Sequence, residues 1–179
     1  METFRPHNQP GKPVLTDNRI GSVLMSIHFI RPADLSDVRL ITECVRSAYE
    51  HYIPLLGMKP NPMLDDYSKV IAKSQVWVLM VSDNLAGVLV LDITEEGFFI
   101  SDIALHPGLQ GKGFGSFLLT FAEEQATRSG YRNIYLYTNV AMTENPAIYA
   151  ARGFVEYARR DVNGRQGVFM EKRQDYPAD

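Results

Sequence analysis

Cys44 is the chain's only cysteine, so no internal disulfide is available, and a reducing, cytoplasmic setting is expected. Cys44 lies in a helical pattern between Glu43 and Val45, with no local base motif, and reads as a small packing residue. Long apolar runs are missing too. The longest candidate, Val76–Val81, is the length of a strand, well short of the ~18–20 residues that span a bilayer. No signal-peptide pattern opens the chain: Arg5, His7, Lys12 and Arg19 are spread out, and no continuous apolar stretch follows them. Excess positive charge is absent, with a net charge of -3 and a pI near 5.8. Neither nucleic acid nor an anionic membrane is therefore expected as a partner. There is no internal repeat and no low-complexity segment, and no metal is expected.

What is present suits a soluble globular domain: 45% of residues are hydrophobic and 22% charged, over 179 residues. Residues 1–24 carry Pro6, Pro10, Gly11 and Pro13 without periodicity. They read as a flexible tail, either a true extension or a stretch upstream of a start at Met25. Residues 25–174 read as the domain, and 175–179 as a short tail.

A first strand is expected over Met25–Pro32. A helix follows, with Asp34 as N-cap and Asp37 in its first turn, and with Val38, Ile41, Val45, Ala48 and Tyr52 on one apolar face. Pro54 and Gly57 are expected to stop it, and a weaker helix is expected over Met63–Ala72. Valine-rich strands come next, at Gln75–Val81 and Leu85–Ile93, joined by the turn residues Ser82-Asp83-Asn84, then a strand at Phe98–Leu105. Phe114, Phe117, Leu118 and Phe121 mark a helix closed by Gly130. Ile134–Thr138 reads as a strand and Glu144–Ala151 as a short helix ended by Gly153. Strands near Phe154–Val162 and Arg165–Lys172 are joined at Asn163-Gly164, a strong hairpin signal. The predicted order, β-α-α-β-β-β-α-β-α-β-β, describes an α/β fold whose mixed, mostly antiparallel sheet is flanked by helices.

The most informative segment is Ile103–Ser116, where a strand gives way to a glycine-rich turn and then a helix. Amides at a helix start lack intrahelical partners, and the dipole adds positive potential, so the junction suits a phosphate. Gly111, Gly113 and Gly115 would let it approach the backbone. A nucleotide P-loop does not fit, because Lys112 is followed by Gly113 and not by a hydroxyl residue. A dinucleotide fingerprint fits poorly, with Ser116 at the third glycine position and the motif far from the first strand.

These residues resemble the GNAT acetyltransferase family. Gln110-Gly111-Lys112-Gly113-Phe114-Gly115 matches its Gln/Arg-x-x-Gly-x-Gly/Ala signature, and Ile103–Pro107 resembles the strand that leads into it. Ala147–Phe154, a short helix with Tyr149 closed by Gly153-Phe154, resembles the second signature. The element order agrees from Ile27 to Lys172. Tyr137–Tyr149 and Pro62–Tyr67 resemble a bacterial subgroup of the family.

The resemblance implies acetyl-CoA as cofactor and a primary amine as acceptor, either a small molecule or a peptide N-terminus. It implies that the backbone amides from Gln110 through Gly111, Lys112, Gly113, Phe114 and Gly115 to Ser116 hold the pyrophosphate. The strand edge at Ile103-Ala104-Leu105 would pair with the pantetheine arm, with one amide near the acetyl oxygen, and Tyr149 would protonate the leaving thiolate as general acid. Where the family usually has an asparagine, this chain has Met142. Asn145, one helical turn before Tyr149, either substitutes as a cofactor contact or only stabilises the helix start beside Pro146. For the general base, Asp102 leads, with Glu43, His51 and a water chain as alternatives. A CoA-binding sensor without catalysis is the second functional reading, and the sequence leaves a homodimer open.

Overall fold

The computed structural model describes residues 27–162 and 164–174. The expected tails at 1–24 and 175–179 lie outside the described residues, as do Met25, Ser26 and Asn163 of the predicted hairpin turn. Seven strands form one sheet: β1 (His28–Pro32), β2 (Gln75–Val81), β3 (Asn84–Thr94), β4 (Gly97–Leu105), β5 (Asn133–Asn139), β6 (Val155–Asp161) and β7 (Gln166–Arg173). Their order is β1-β2-β3-β4-β5-β7-β6. Every pairing is antiparallel except β4 with β5. Five α-helices accompany them: α1 (Val38–Tyr49), α2 (Ile53–Leu56), α3 (Tyr67–Lys73), α4 (Phe114–Arg128) and α5 (Glu144–Ala150).

From β2 to β7 the strand boundaries agree with the predicted ones to within a residue, because alternation and turn residues are local signals, whereas β1 begins at His28, later than the expected start. The β2–β3 turn places Ser82 and Asp83 at positive φ (47° and 64°), the geometry favoured in two-residue hairpins. The region after α1 is where the sequence misleads. Pro54 does not end a helix there. It lies in the first turn of α2, where its missing N–H costs nothing, and Gly57 closes that turn at φ 68°. The expected helix over Met63–Ala72 begins later. Asn61–Leu64 is a 3₁₀ turn, Asp65 is extended, and Asp66 caps α3 by accepting the Ser68 amide at 3.2 Å. Tyr52, expected on the face of α1, lies beyond that helix in a 3₁₀ turn.

Asp34 caps the 3₁₀ turn Leu35–Asp37 that leads into α1, not α1 itself, accepting the Ser36 amide at 2.8 Å, while Asp37, expected in the first turn, is the residue just before α1 and accepts the Asp34 amide at 2.9 Å. Asp37 also takes a two-pronged bond from Arg31 of β1, at 2.7 and 2.8 Å, which holds its carboxyl below the usual range and ties the first strand to the start of α1.

Two apolar layers cover the sheet. On one face, Leu79, Leu89, Leu91, Phe98, Ile134 and Leu136 pack beneath Leu118, Leu119 and Ala122 of α4. On the other, Val78, Val88 and Val90 pack beneath Ile41, Cys44 and Val45 of α1 and Tyr67 of α3. Each fully buried aliphatic side chain in these layers contributes roughly 1.5–3 kcal/mol. Cys44 is one of these packing residues, and burial pushes its thiol up to about 12.

The site depends on an irregularity in β4. Ile100 pairs with Leu91 and Asp102 with Val90, so Ser101 is an extra residue, a β-bulge. Side chains of a regular strand alternate faces, so the extra residue resets the count. Phe98 and Ile100 go to the α4 side, whereas Ala104 goes to the α1 side and Asp102 meets Tyr49 and Tyr67 there. The parallel pairing of β4 with β5 runs only from Phe98↔Ile134 to Ile100↔Leu136. Beyond it the two strands separate, leaving one edge of Ile103–Leu105 without a strand partner among the described residues.

Candidate active site

Two cavities meet where β4 and β5 separate. The larger, about 490 Å³, lies between the end of β4, the Gln110–Ser116 turn and α5. The smaller, about 90 Å³, borders the same gap, roofed by Leu56, Pro60 and Pro62 and bounded by the β6–β7 hairpin. Tyr49, Ile103, Asn145 and Tyr149 line both, and so form the wall between them.

One end of the larger cavity is formed by the start of α4 and the glycine-rich turn before it. Gly113 is the N-cap of α4 at φ 88° and has no side chain to satisfy the first amides of the helix, which have no intrahelical partner. A Cβ added at Gly111, Gly113 or Gly115 would meet nothing within 4 Å, so the backbone is bare toward the cavity. Uncapped amides, a helix dipole and an open approach together fit a pyrophosphate. Gln110 is different: its own amide already donates to the Pro107 carbonyl at 3.2 Å, and its side chain braces the Leu105 carbonyl at 3.1 Å. Lys112 and Phe114 do not line the cavity. Lys112 is exposed, and the Phe114 ring packs toward His28 at 5.4 Å. Of the strand residues, Ile103 and Leu105 line it, whereas the Ala104 side chain is buried on the α1 side.

Tyr149 is half-buried and packs edge-on against Phe154, with centroids 6.0 Å apart. Burial pushes its phenol above the ordinary range, and the nearby Asp102 charge adds to this, so the hydroxyl stays protonated at neutral pH. Asn145 donates to the Thr138 hydroxyl at 3.0 Å, which joins α5 to β5 at the shared wall. Met142, standing where an asparagine was expected from the resemblance, is buried beside them.

Asp102 is 7% exposed, and its carboxylate is held from both sides. Tyr49 donates to Oδ1 at 2.6 Å and Tyr67 lies 3.2 Å from Oδ2. Burial raises its pKa from the ordinary 3.8 to about 6, and the two phenols restrain the rise. A base poised near neutrality at the wall of a cavity is suited to taking a proton from an ammonium. The other base candidates stand elsewhere. Glu43 is paired with Arg39 at 2.8 Å on the outer side of α1 and lines neither cavity. His51 lines the larger cavity only, its ring tilted against Tyr52 with centroids 3.9 Å apart.

Tyr49 and Tyr67 carry no motif and were not singled out from the sequence. Tyr49 stands four residues after Val45, a spacing that puts it on the buried stripe of α1. Tyr67 belongs to the Pro62–Tyr67 segment noted by resemblance, and its hydroxyl lies 3.2 Å from the Pro62 carbonyl, linking the roof to Asp102.

One family model matches the chain, and solved structures share its fold. The model of the acetyltransferase (GNAT) family matches residues 42–154. Among solved structures, the PaiA N-acetyltransferase of Thermoplasma acidophilum, in complex with coenzyme A, has a TM-score of 0.68 at 18% identity, over 83% of this chain and 99% of that one. The ribosomal-protein-S18-alanine N-acetyltransferase of Escherichia coli has a TM-score of 0.68 at 16% identity, over 86% of this chain and 97% of that one. A GCN5-related N-acetyltransferase from Rhodopseudomonas palustris has a TM-score of 0.69 at 18% identity, over 86% and 100%. No curated protein matches in sequence.

Proposed function

The chain belongs to the GNAT acetyltransferase family, and on that premise we propose that it transfers the acetyl group of acetyl-CoA to a primary amine by direct attack. When bound, acetyl-CoA supplies an activated thioester. The amides of Gly111–Ser116 hold its pyrophosphate, and the unpaired edge of β4 at Ile103 and Leu105 offers backbone groups to the pantetheine arm. Asn145 fixes the wall against which that arm lies. Tyr149 donates its phenolic proton to the departing sulfur. Asp102 is the base, acting through Tyr49: the Tyr49 oxygen takes a proton from the incoming ammonium as its own proton passes to Asp102 Oδ1, 2.6 Å away. The single buried cysteine fits a reducing cytoplasm, and among the described residues no helix is long and apolar enough to cross a membrane.

The observation that carries this reading is the shared wall. A protein that only sensed CoA would need the phosphate cradle, but not a second cavity behind it with a buried carboxylate at the junction. Thiol release from acetyl-CoA, measured with a panel of amines, separates the two. Release with none of them, while CoA still binds, favours the sensor.

Binding itself is checked by melting. CoA at ~100 times its Kd should add about 2.7 kcal/mol, a rise of roughly 5–10 °C for a chain of this size, and ATP and NAD should add nothing. Gly115→Val should remove most of that rise. Its Cβ meets nothing in the protein and the position is not at positive φ, so the fold accepts the side chain while the cavity loses the bare backbone. Gly113, at φ 88°, would confound the test with backbone strain. A normal CoA shift in Gly115→Val would place the pyrophosphate elsewhere.

A further inference from the structure

The smaller cavity has a charge pattern that acetyl transfer alone does not explain. Among the described residues that line it, only Asp102 and Arg165 carry charge. They come from opposite walls. Asp102 belongs to β4, and Arg165 to the β6–β7 hairpin, which reaches the roof where Arg165 Nη2 lies 3.5 Å from the Lys59 carbonyl. Arg165 is half-buried, forms no ion pair with a described residue, and does not line the larger cavity. Its guanidinium is therefore committed neither to a structural carboxylate nor to a phosphate in the cofactor cavity. The walls between the two charges are neutral, with Tyr137, Met142 and Tyr149 among them.

We propose that the acceptor is a small zwitterion of the free amino acid type, its amine toward Tyr49 and Asp102 and its carboxylate on Arg165. The proposal rests on the acetyl-transfer reading above. A planar guanidinium fork takes a carboxylate in two parallel bonds and discriminates against the neutral carbonyl of an ester or peptide. A polyamine would bring a second positive charge against Arg165, where like charges repel. Size agrees: at ~10–15 Å³ per water-sized sphere, the cavity of about 90 Å³ has room for roughly six to nine such spheres, enough for a short amino acid.

The test compares each of glycine, alanine, β-alanine and 4-aminobutyrate with its methyl ester, and alanine with an amidated dipeptide, as acceptors at saturating acetyl-CoA. In the wild-type protein at least one free acid should exceed its ester at least tenfold in kcat/KM, with the difference in KM. In Arg165→Gln the ratio should fall toward one, and Arg165→Lys should retain part of it. CoA affinity and melting temperature of each variant report whether it has folded. Esters or the amidated dipeptide turned over as well as the acids, or a ratio unchanged in Arg165→Gln, overturn the zwitterion and leave acetyl transfer standing. If no amine releases thiol, acetyl transfer itself falls. With acetyl transfer gone the acceptor role falls with it, and calorimetric titration of the same amino acids into the CoA-loaded protein decides whether Arg165 holds an amino acid at all: binding lost in Arg165→Gln retains the zwitterion site, and no binding to wild type overturns it.

Discussion

Replacing Tyr149 with phenylalanine is expected to lower kcat roughly 10²-fold while leaving CoA affinity and melting temperature close to those of the wild type. The ring packs on Phe154, and phenylalanine keeps that contact. What it deletes is the hydroxyl, which burial keeps protonated and which stands at the wall between the two cavities. The loss should fall in kcat, because a proton delivered to a departing sulfur is needed only as the bond breaks. It should also shrink as pH rises toward the thiol's own range near ~8.5, where the thiolate leaves without help. Rates at several pH values with an identified acceptor provide the measurement. Wild-type turnover in the variant between pH 6 and 8 would remove Tyr149 from the chemistry and leave the cofactor cradle untouched.

Asp102→Asn should cost a similar factor, roughly 10²-fold at pH 7, and its signature lies in the pH dependence. The folded protein holds this carboxyl at about 6, against 3.8 ordinarily, because burial disfavours the charge. Between those two values the folded chain keeps a proton that the unfolded chain has released. Stability from this group is therefore full below 3.8 and is lost as pH rises to about 6. Above that, the buried charge costs on the order of 3 kcal/mol. The rate runs the other way, since only the ionised form accepts a proton: it should rise through pH 6 and level off. Asparagine removes both effects. The variant's melting temperature relative to wild type should increase between pH 4 and pH 8, while the rate limb near pH 6 disappears. A variant that keeps that limb would show that another group, or water, takes the proton.

How much of this was legible in the sequence depends on range. Most of the strands, the turn at Ser82-Asp83 and the glycine-rich turn that leads into α4 are encoded by neighbours along the chain, and the structure places these elements where the pattern does. The two signatures carry the family resemblance in the sequence itself. The segment from Tyr52 to Tyr67 was harder to read, because Pro54 either stops a helix or opens a turn and local propensity does not choose between them. Asp102 could be named as a base candidate, but its environment could not: Tyr49 lies 53 positions away and Tyr67 lies 35 away, and only the fold brings both phenols to it. Arg165 was invisible as a site residue for the same reason. In the sequence it is one cation in a hairpin, and its significance comes from the cavity it faces.

The bulge at Ser101 makes the site a matter of counting. Its hydroxyl bonds to the half-buried Asp92, but what matters most for the site is that the residue occupies one place. Substituting it leaves every later side chain of β4 on its present face. Deleting it would exchange those faces at once, carrying Asp102 off its two phenols and into the apolar layer beneath α4, and turning Ile103 and Leu105 the other way. The lineage of this chain can therefore change the side chain at that position, within what the smaller cavity it lines admits, but not the length. A gap of one residue between Ile100 and Asp102 in a relative's sequence would mark a protein that has kept the sheet and lost the site.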